Sequence, residues 1–371
     1  MLYRKLAGER VSQLGFGAMR LPTRDGAIDE AEAIAMIRDS IDAGINYVDT
    51  AWPYHDGASE PLVGKALRDG YRDRVFLATK SPIWLLKKPE DFDTFLDRQL
   101  ARLETDHIDF YLLHALNVPS WETCLKFDAL AFGERAKKAG KIRHFGFSFH
   151  DDLATFKKIC DASDWEFCQI QYNFLDRKEQ AGEEGLRYAR SKGIDIVVME
   201  PLRGGNLVSP VPASVRALYD AQAVKRSSAD WALRWVWNER DVAVVLSGMS
   251  TRRQIEENLA TAADAAAGSM SAGELAMIDR AETEYRRLMP VPCTGCRYCM
   301  PCSAGVNIPR NFAVFNEYYM FERSEAARGG YRWVDADQRA DKCVECGACE
   351  ELCPQHIAIR ENLKRVVAEM A

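Results

Sequence analysis

Short apolar runs alternate with amphipathic stretches along most of this chain. Residues 11–21 (VSQLGFGAMRL) read as an opening strand whose glycines permit close backbone approach. Asp29 then caps a helix through Ala43, with Ala33, Ile34, Ile37 and Ile41 at helical spacing. The alternation continues as strand 46–50, helix 59–69, strand 75–79, helix 90–104, strand 108–113 and helix 122–139. Strand 142–148, helix 151–162, strand 167–172, helix 179–191 and strand 194–199 follow. A longer helical region over 212–238, strand 242–247 and helices over 251–266 and 271–287 complete the series. The strands are continuous apolar runs, as expected of a parallel sheet buried on both faces. No G-x-G-x-x-G follows the first strand, which speaks against an open doubly wound sheet, and the repeat suits eight units. The expected fold is therefore α/β, a (β/α)8 TIM barrel, in which active sites lie at the C-terminal ends of the strands.

Several of those strand ends carry side chains suited to proton transfer. Asp49 closes strand 46–50, and Tyr54 follows it five residues later, past Pro53. Strand 75–79 runs into Lys80, and strand 108–113 runs into His114. A tyrosine hydroxyl, with a pKa near ~10, is a poor acid at neutral pH, and a neighbouring ammonium lowers that value. Lys80 is placed to act so on Tyr54, with Asp49 holding Lys80 charged and His114 orienting a carbonyl oxygen. Such a set protonates an oxygen that becomes negative as hydride arrives at its carbon. Each residue alone has an ordinary explanation: a loop cap, a packing ring, a solvated lysine, a core histidine. The set, in order and each at a strand end, points to catalysis. Trp52 and Trp84, next to these ends, are expected at the mouth of a pocket.

Composition changes this picture mainly at the C-terminus. The 371 residues, 47% hydrophobic and 28% charged, are ordinary for globular protein and long enough for two domains. A net charge of −6 argues against a nucleic-acid or anionic-membrane surface. No apolar run reaches the ~18–20 residues of a membrane span, and the first residues do not read as a signal peptide, so a cytoplasmic enzyme is expected. After Met289-Pro290 the chain turns rich in cysteine, proline and glycine, which sets the expected domains at 1–288 and 289–371.

Eight of the eleven cysteines lie in two windows of that tail. The first is Cys293-x2-Cys296-x2-Cys299-x2-Cys302, and the second is Cys343-x2-Cys346-x2-Cys349-x3-Cys353-Pro354. The second matches the bacterial ferredoxin pattern to the proline, and in that pattern the fourth cysteine ligates the other cluster. On that logic Cys293, Cys296, Cys299 and Cys353 hold one [4Fe–4S] cluster, and Cys343, Cys346, Cys349 and Cys302 hold the other. The first window ends on x2 and Ser303 instead of x3 and proline, so the exchange of fourth ligands rests on the second window alone. Structural zinc is the competing chemistry, but its ligands usually come as two C-x2-C pairs separated by a loop. Between the windows, 309–327 is expected to be helical, with Phe312, Phe315, Tyr318, Tyr319 and Phe321 available to pack around a buried group. A last helix is expected over 357–370.

The blocks "GINYVDTAWPYHDGASEPLVGKAL", "ATK", "IDFYLLH" and "SGMSTRRQIEEN" resemble the signature blocks of the aldo-keto reductase family over roughly residues 1–285. "CTGCRYCMPC" resembles the tail of a subgroup carrying a ferredoxin-like dicluster domain. The resemblance implies a barrel binding NADP(H) or NAD(H), with Asp49, Tyr54, Lys80 and His114 in the family's catalytic positions. It implies Ser148 and Gln171 at the carboxamide, with Phe149 where the family has asparagine and Met199 where an aromatic stacks. Leu202, Arg203 and Gly204 fall in the loop implied at the pyrophosphate, just after Glu200, whose charge Arg203 is placed to offset. Gly248 and Gln254 align with the family's lysine and arginine for the 2′-phosphate, Arg252 and Arg253 are nearby substitutes, and Glu257 and Asn258 match adenine-binding positions.

The expected activity is interconversion of a carbonyl and an alcohol with NAD(P)H. Hydride transfer moves two electrons whereas a cluster exchanges one, so a flavin (FMN or FAD) linking the two is the alternative. Under it the altered positions 149, 199 and 248 reflect flavin binding, and an electron-transfer protein becomes a partner of the tail. A tail of about eighty residues is also small enough that its clusters serve simply to hold it together.

Overall fold

Eight parallel strands close into a barrel in the computed structural model, which describes residues 1–323 and 325–370, the side chains of 326 and 327 excepted. The strands are β1 (Leu14–Gly17), β2 (Tyr47–Asp49), β3 (Phe76–Ser81), β4 (Ile108–Leu116), β5 (Ile142–Phe149), β6 (Phe167–Gln171), β7 (Asp195–Met199) and β8 (Val242–Ser247). Each pairs with its neighbours in sequence, and β8 returns to β1 through Val245 opposite Leu14 and Ser247 opposite Phe16. Because helices cover the outside, the strands are apolar on both faces; every residue of β8 is buried.

The opening strand divides in two. Tyr3–Leu6 and Glu9–Ser12 form an antiparallel hairpin, and the barrel begins only at Leu14. The turn between them is fixed at Gln13, whose amide donates to the carbonyls of Ala262 and Ala265 while the Ser12 hydroxyl donates to the Leu14 carbonyl. Leu6 and Val11 of the hairpin join Tyr47, Phe110, Phe167 and Val244 in one buried cluster that fills the barrel. That packing leaves the opposite, C-terminal end for chemistry.

Two expected helices are each broken. Residues 122–139 form Val118–Lys126 and Ala129–Lys138, the second starting at Asp128, which takes a left-handed φ of 54° and caps the amide of Ala131. Residues 212–238 form Ala213–Asp220 and Ser228–Asn238.

By compactness the chain divides into two units, 1–201 with 229–271 and 202–228 with 272 onward. The first is the barrel. In the second, the tail core gathers Val291, Val306, Ile308, Phe312, Phe315, Ile357, Leu363 and Val366 around the helices Ile308–Met320 and Ile359–Met370. The helix expected over 309–327 ends at Met320; a short helix, Glu325–Gly329, follows, and Ser324 lies outside the described residues. Among the described residues no helix is long and apolar enough to cross a membrane.

Candidate active site

The strand ends bring Asp49, Lys80, Tyr54 and His114 together at the C-terminal mouth. Parallel pairing sets Asp49 of β2 opposite Ala78 of β3, which places Lys80 just above it. The Lys80 ammonium donates to both Asp49 carboxylate oxygens at 2.7 Å and to the Thr50 carbonyl at 2.8 Å. Both side chains are sealed from solvent, Lys80 at 0% and Asp49 at 2% exposure. Tyr54 sits on a tight turn closed by its amide on the Ala51 carbonyl, and its ring centroid is 5.1 Å from the Lys80 nitrogen. That turn is pinned because His55 accepts a hydrogen bond from the Leu21 amide. His114 lies on β4, next to a register irregularity between Leu113 and Leu116, and its ring is 6.2 Å from that of Tyr54. Its Nδ1 is buried with no hydrogen-bond partner among the described residues.

Trp84 is 54% exposed and its ring lies 5.2 Å from His114, as expected of a pocket-mouth residue. Trp52 is instead packed away, edge-on to Phe95 and under the guanidinium of Arg102 at 3.5 Å.

A buried layer beneath the site was not singled out from sequence. The fully buried Glu60 carboxylate accepts from Thr79 at 2.7 Å, Gln99 at 2.6 Å and Arg102 at 3.2 Å. Gln99 in turn donates to the Lys80 carbonyl and accepts from Tyr111. Glu60 thus fixes the strand segment carrying Lys80. The available signal was a carboxylate at the head of a helix, Ser59–Ala66, five of whose other residues are buried. Glu60→Ala removes the acceptor shared by Thr79, Gln99 and Arg102 and leaves the buried Thr79 hydroxyl without one. It is expected to cost about 3 kcal/mol in urea denaturation and to lower kcat with KM little changed.

Burial sets the protonation states. It raises the Tyr54 pKa, helped by the charges of Asp49 and Glu200, and the Lys80 ammonium opposes this only in part. The sequence expectation that Lys80 lowers the phenol is therefore reversed in sum, because the ring lies in a desolvated pocket beside two carboxylates. Lys80 is itself pulled down by burial but held above its usual value by Asp49 and Tyr54, so it stays charged. His114 is pushed well below 6.5 by burial and then by the Lys80 charge, so it is neutral at pH 7. With the phenol held protonated and the imidazole neutral, neither of these two groups titrates between pH ~6 and ~8. The kcat/KM for carbonyl reduction is expected to be flat there; an inflection near the ordinary histidine value that His114→Gln abolishes would contradict a neutral His114.

Two of the residues implied at a carboxamide lie in the same barrel mouth. Ser148 on β5 accepts from the Ala115 amide at 2.7 Å, which leaves its own hydrogen to donate. Gln171 at the end of β6 donates to the buried Asp176 at 2.7 Å and accepts from Gln180 at 3.0 Å, with its second N–H to spare. Both can serve a carboxamide oxygen. Phe149, in place of asparagine, is fully buried against Phe156 on the helix side of β5.

At the end of β8 the residues that align with the 2′-phosphate positions, and the arginines beside them, bring no uncommitted charge of their own. Gly248 has no side chain, and the Gln254 amide oxygen is bound to Ser250. Arg252 is paired with Glu32 and Asp39, and Arg253 with Glu257. Asn258 is buried and donates to Ser247 at 3.0 Å. Glu200, after β7, is paired with Arg20 at 3.9 Å. Leu202, Arg203 and Gly204 belong to the other compact unit, where the Arg203 guanidinium lies 3.8 Å from Glu317 and 5.5 Å from the ring of Phe321.

In the tail the cysteines sort by space, not by order. One cavity is lined by Cys293, Cys296, Cys299 and Cys353, with Ile308, Phe312, Ile357 and Ile359 as its apolar wall. Cys346 lies 3.9 Å from Ser303, beside Cys302. The Cys349 thiol is pushed up to about 11 by burial first, with Glu350, Cys343 and Cys302 adding to it. Four thiols around a greasy cavity are poorly placed as free groups, and the donor set suits a cluster that binds them as thiolates. Among the described residues no three His, Cys, Asp or Glu side chains converge on one ion-sized point, and a cubane needs them spread around a larger body.

Comparison with known proteins finds the same two parts. The Aldo/keto reductase family model matches residues 13–281, and a 4Fe-4S dicluster domain model matches residues 292–358. An NADH-specific methylglyoxal reductase of Escherichia coli is 28% identical over 295 residues, spanning 67% of this chain and 89% of that protein. L-Galactose dehydrogenase of Arabidopsis thaliana is 27% identical, spanning 68% and 85%. Among solved structures, the aldo-keto reductase AKR11C1 of Bacillus halodurans superposes with a TM-score of 0.64 at 29% identity, covering 76% of this chain and 96% of that one. An aldo/keto reductase of Klebsiella pneumoniae in complex with NADP and acetate gives a TM-score of 0.61 at 26% identity, covering 74% and 92%.

Proposed function

The chain belongs to the aldo/keto reductase family and is an NAD(P)H-dependent oxidoreductase, and from that premise we propose that residues 1–288 interconvert a small aldehyde or ketone and its alcohol while residues 289–371 carry two [4Fe–4S] clusters. The observation that carries this reading is the buried Lys80–Asp49 pair beside Tyr54, with the His114 ring 6.2 Å from that of Tyr54. A reduced nicotinamide, when bound, supplies hydride to the carbonyl carbon. Ser148 and Gln171 are the donors for its carboxamide. Neutral His114 donates to the carbonyl oxygen and fixes its direction. Tyr54 gives that oxygen its proton, and the charged Lys80 stabilises the phenolate left behind until solvent reprotonates it. Asp49 keeps Lys80 charged and still. The set works in a desolvated pocket, where each dipole acts more strongly than in water.

A small dicarbonyl such as methylglyoxal is a reasonable first substrate, given the relative named above. Anaerobically purified, cluster-loaded protein is expected to oxidise NADH with some member of a panel of small aldehydes and ketones; failure with NADH and NADPH across the panel sinks this reading. NADH is expected to bind at least tenfold tighter than NADPH, because Arg252 and Arg253 are already neutralised by Glu32, Asp39 and Glu257. Fluorescence titration with both cofactors measures the ratio. A reducing cytoplasm is the setting we assign to eight thiolates of this kind.

One observation favours a second reading, in which single electrons leave the tail for an electron-transfer protein. Tyr298, Val344 and Leu352, each adjacent to or between cluster cysteines, are 67%, 67% and 59% exposed. Exposed apolar residues beside a cluster suit transient docking. That route needs a flavin to convert hydride to single electrons, so flavin released by acid from pure protein supports it, and its absence removes it.

A further inference from the structure

The two cysteine groups of the tail have much in common. Each has a backbone amide on a sulfur: Gly295 donates to Cys293, and Ala348 donates to Cys346. Each also has an arginine close by. Arg297 lines the first cavity, and the Arg360 guanidinium lies 3.7 Å from where a Cβ on Gly347 would stand. Arg360 is paired with Glu350 and Arg297 is exposed, so neither brings a strong unscreened charge.

The groups differ at the residue that follows the fourth cysteine of each window. After Cys353 it is Pro354, which has no N–H and lines the cavity of Cys293, Cys296, Cys299 and Cys353. After Cys302 it is Ser303, whose hydroxyl oxygen lies 3.9 Å from the Cys346 sulfur. A sulfur bound to iron is a thiolate with no hydrogen of its own, so in that contact only Ser303 can donate. The surroundings differ in the same sense. Ile308, Phe312, Ile357 and Ile359 wall the first cavity, and Cys353 is buried. None of Cys302, Cys343, Cys346 and Cys349 is buried, and Cys346 is exposed.

A cluster gains negative charge on reduction, and hydrogen bonds to its sulfurs and access to solvent both help set its potential. We propose that Ser303 donates to the cluster thiolate of Cys346 and makes the cluster of Cys302, Cys343, Cys346 and Cys349 the more easily reduced of the two, so that a single electron in the tail settles there. This rests on the two-cluster reading above. The step is a one-electron exchange in which one cluster is oxidised as the other is reduced, with no bond broken and no proton moved. Ser303 acts through Cys346 and is not itself a ligand. The tail is then directional, from the apolar-walled cluster to the one that Ser303 serves.

The test is a reductive titration of the full, cluster-loaded chain with dithionite and mediators, followed by electron paramagnetic resonance. The parent is expected to reduce in two separate one-electron steps. Ser303→Ala should weaken reduction at the upper step about tenfold, a drop of about 59 mV for one electron, and leave the lower step in place. Ser303→Pro, which also lacks the hydroxyl, should behave like Ser303→Ala, and Ser303→Thr should keep the parent's values. Cys296→Ser, which disables the other cluster, should retain the upper step alone, and adding Ser303→Ala should shift it there too. Two clusters that reduce together in the parent, unchanged midpoints in Ser303→Ala, or movement of the lower step alone each overturn the proposal. So does loss of iron from Ser303→Ala and Ser303→Pro, which would make Ser303 a residue of assembly. A parent that holds about four irons instead of about eight means that the two-cluster reading itself has failed.

Discussion

Tyr54→Phe is expected to lower kcat/KM for carbonyl reduction by about 10³-fold while leaving stability within ~0.5 kcal/mol. The loss should fall on kcat, because the phenol matters as charge develops on oxygen, whereas the ring contacts that shape the pocket are kept. The residue least replaceable by solvent is Tyr54: its pKa is raised by burial and by Asp49 and Glu200, so it holds its proton until the oxygen demands it. Lys80→Met should cost activity to a similar degree for a second reason. It removes the ion-pair partner of the buried Asp49, which then carries an uncompensated charge at 2% exposure. That variant is therefore expected to lose about 3–5 kcal/mol as well. Comparing the two variants separates the chemistry from the scaffold: a chain whose Tyr54→Phe form retains full turnover does not use this phenol as its acid.

Much of this was legible because strand ends are where sequence order and spatial proximity coincide. The runs ending in Asp49, Lys80 and His114 could be read as strands from their apolar patterning, and parallel pairing of neighbours then forces their ends together. What the pattern could not carry lies between elements. The break at 221–227 (AQAVKRS) holds neither glycine nor proline, so local propensity offered no reason to stop the helix that ends at Asp220. Asp128 starts its helix from a left-handed conformation, which aspartate tolerates better than most residues but which apolar patterning does not announce. Glu60 was hidden because burial, not residue type, makes it significant: on a solvated helix the same carboxylate would be an ordinary first-turn residue.

Paired serine substitutions in the tail should show that the clusters exchange their fourth ligands. In the crossed arrangement Cys353 shares a cavity with Cys293, Cys296 and Cys299, although it lies only four residues beyond Cys349. Cys353→Ser and Cys296→Ser are each expected to reduce bound iron by about half, from roughly eight to four per chain. Combined, they should lose no more than either alone, because both act on one cluster. Cys353→Ser combined with Cys346→Ser should leave almost none. If ligands instead followed sequence order, the first combination would empty both sites and the second only one, so iron and sulfide analysis of the two double variants decides between them. Loss of the Cys353 cluster is also expected to loosen the tail. Its cavity wall, Ile308, Phe312, Ile357 and Ile359, joins the two helices that make up most of that small core. A domain of this size has little apolar area to fall back on when a bound group is removed. Protease should therefore cut the tail of Cys353→Ser faster than that of the parent, while the barrel, which closes on its own hydrogen bonds, stays intact.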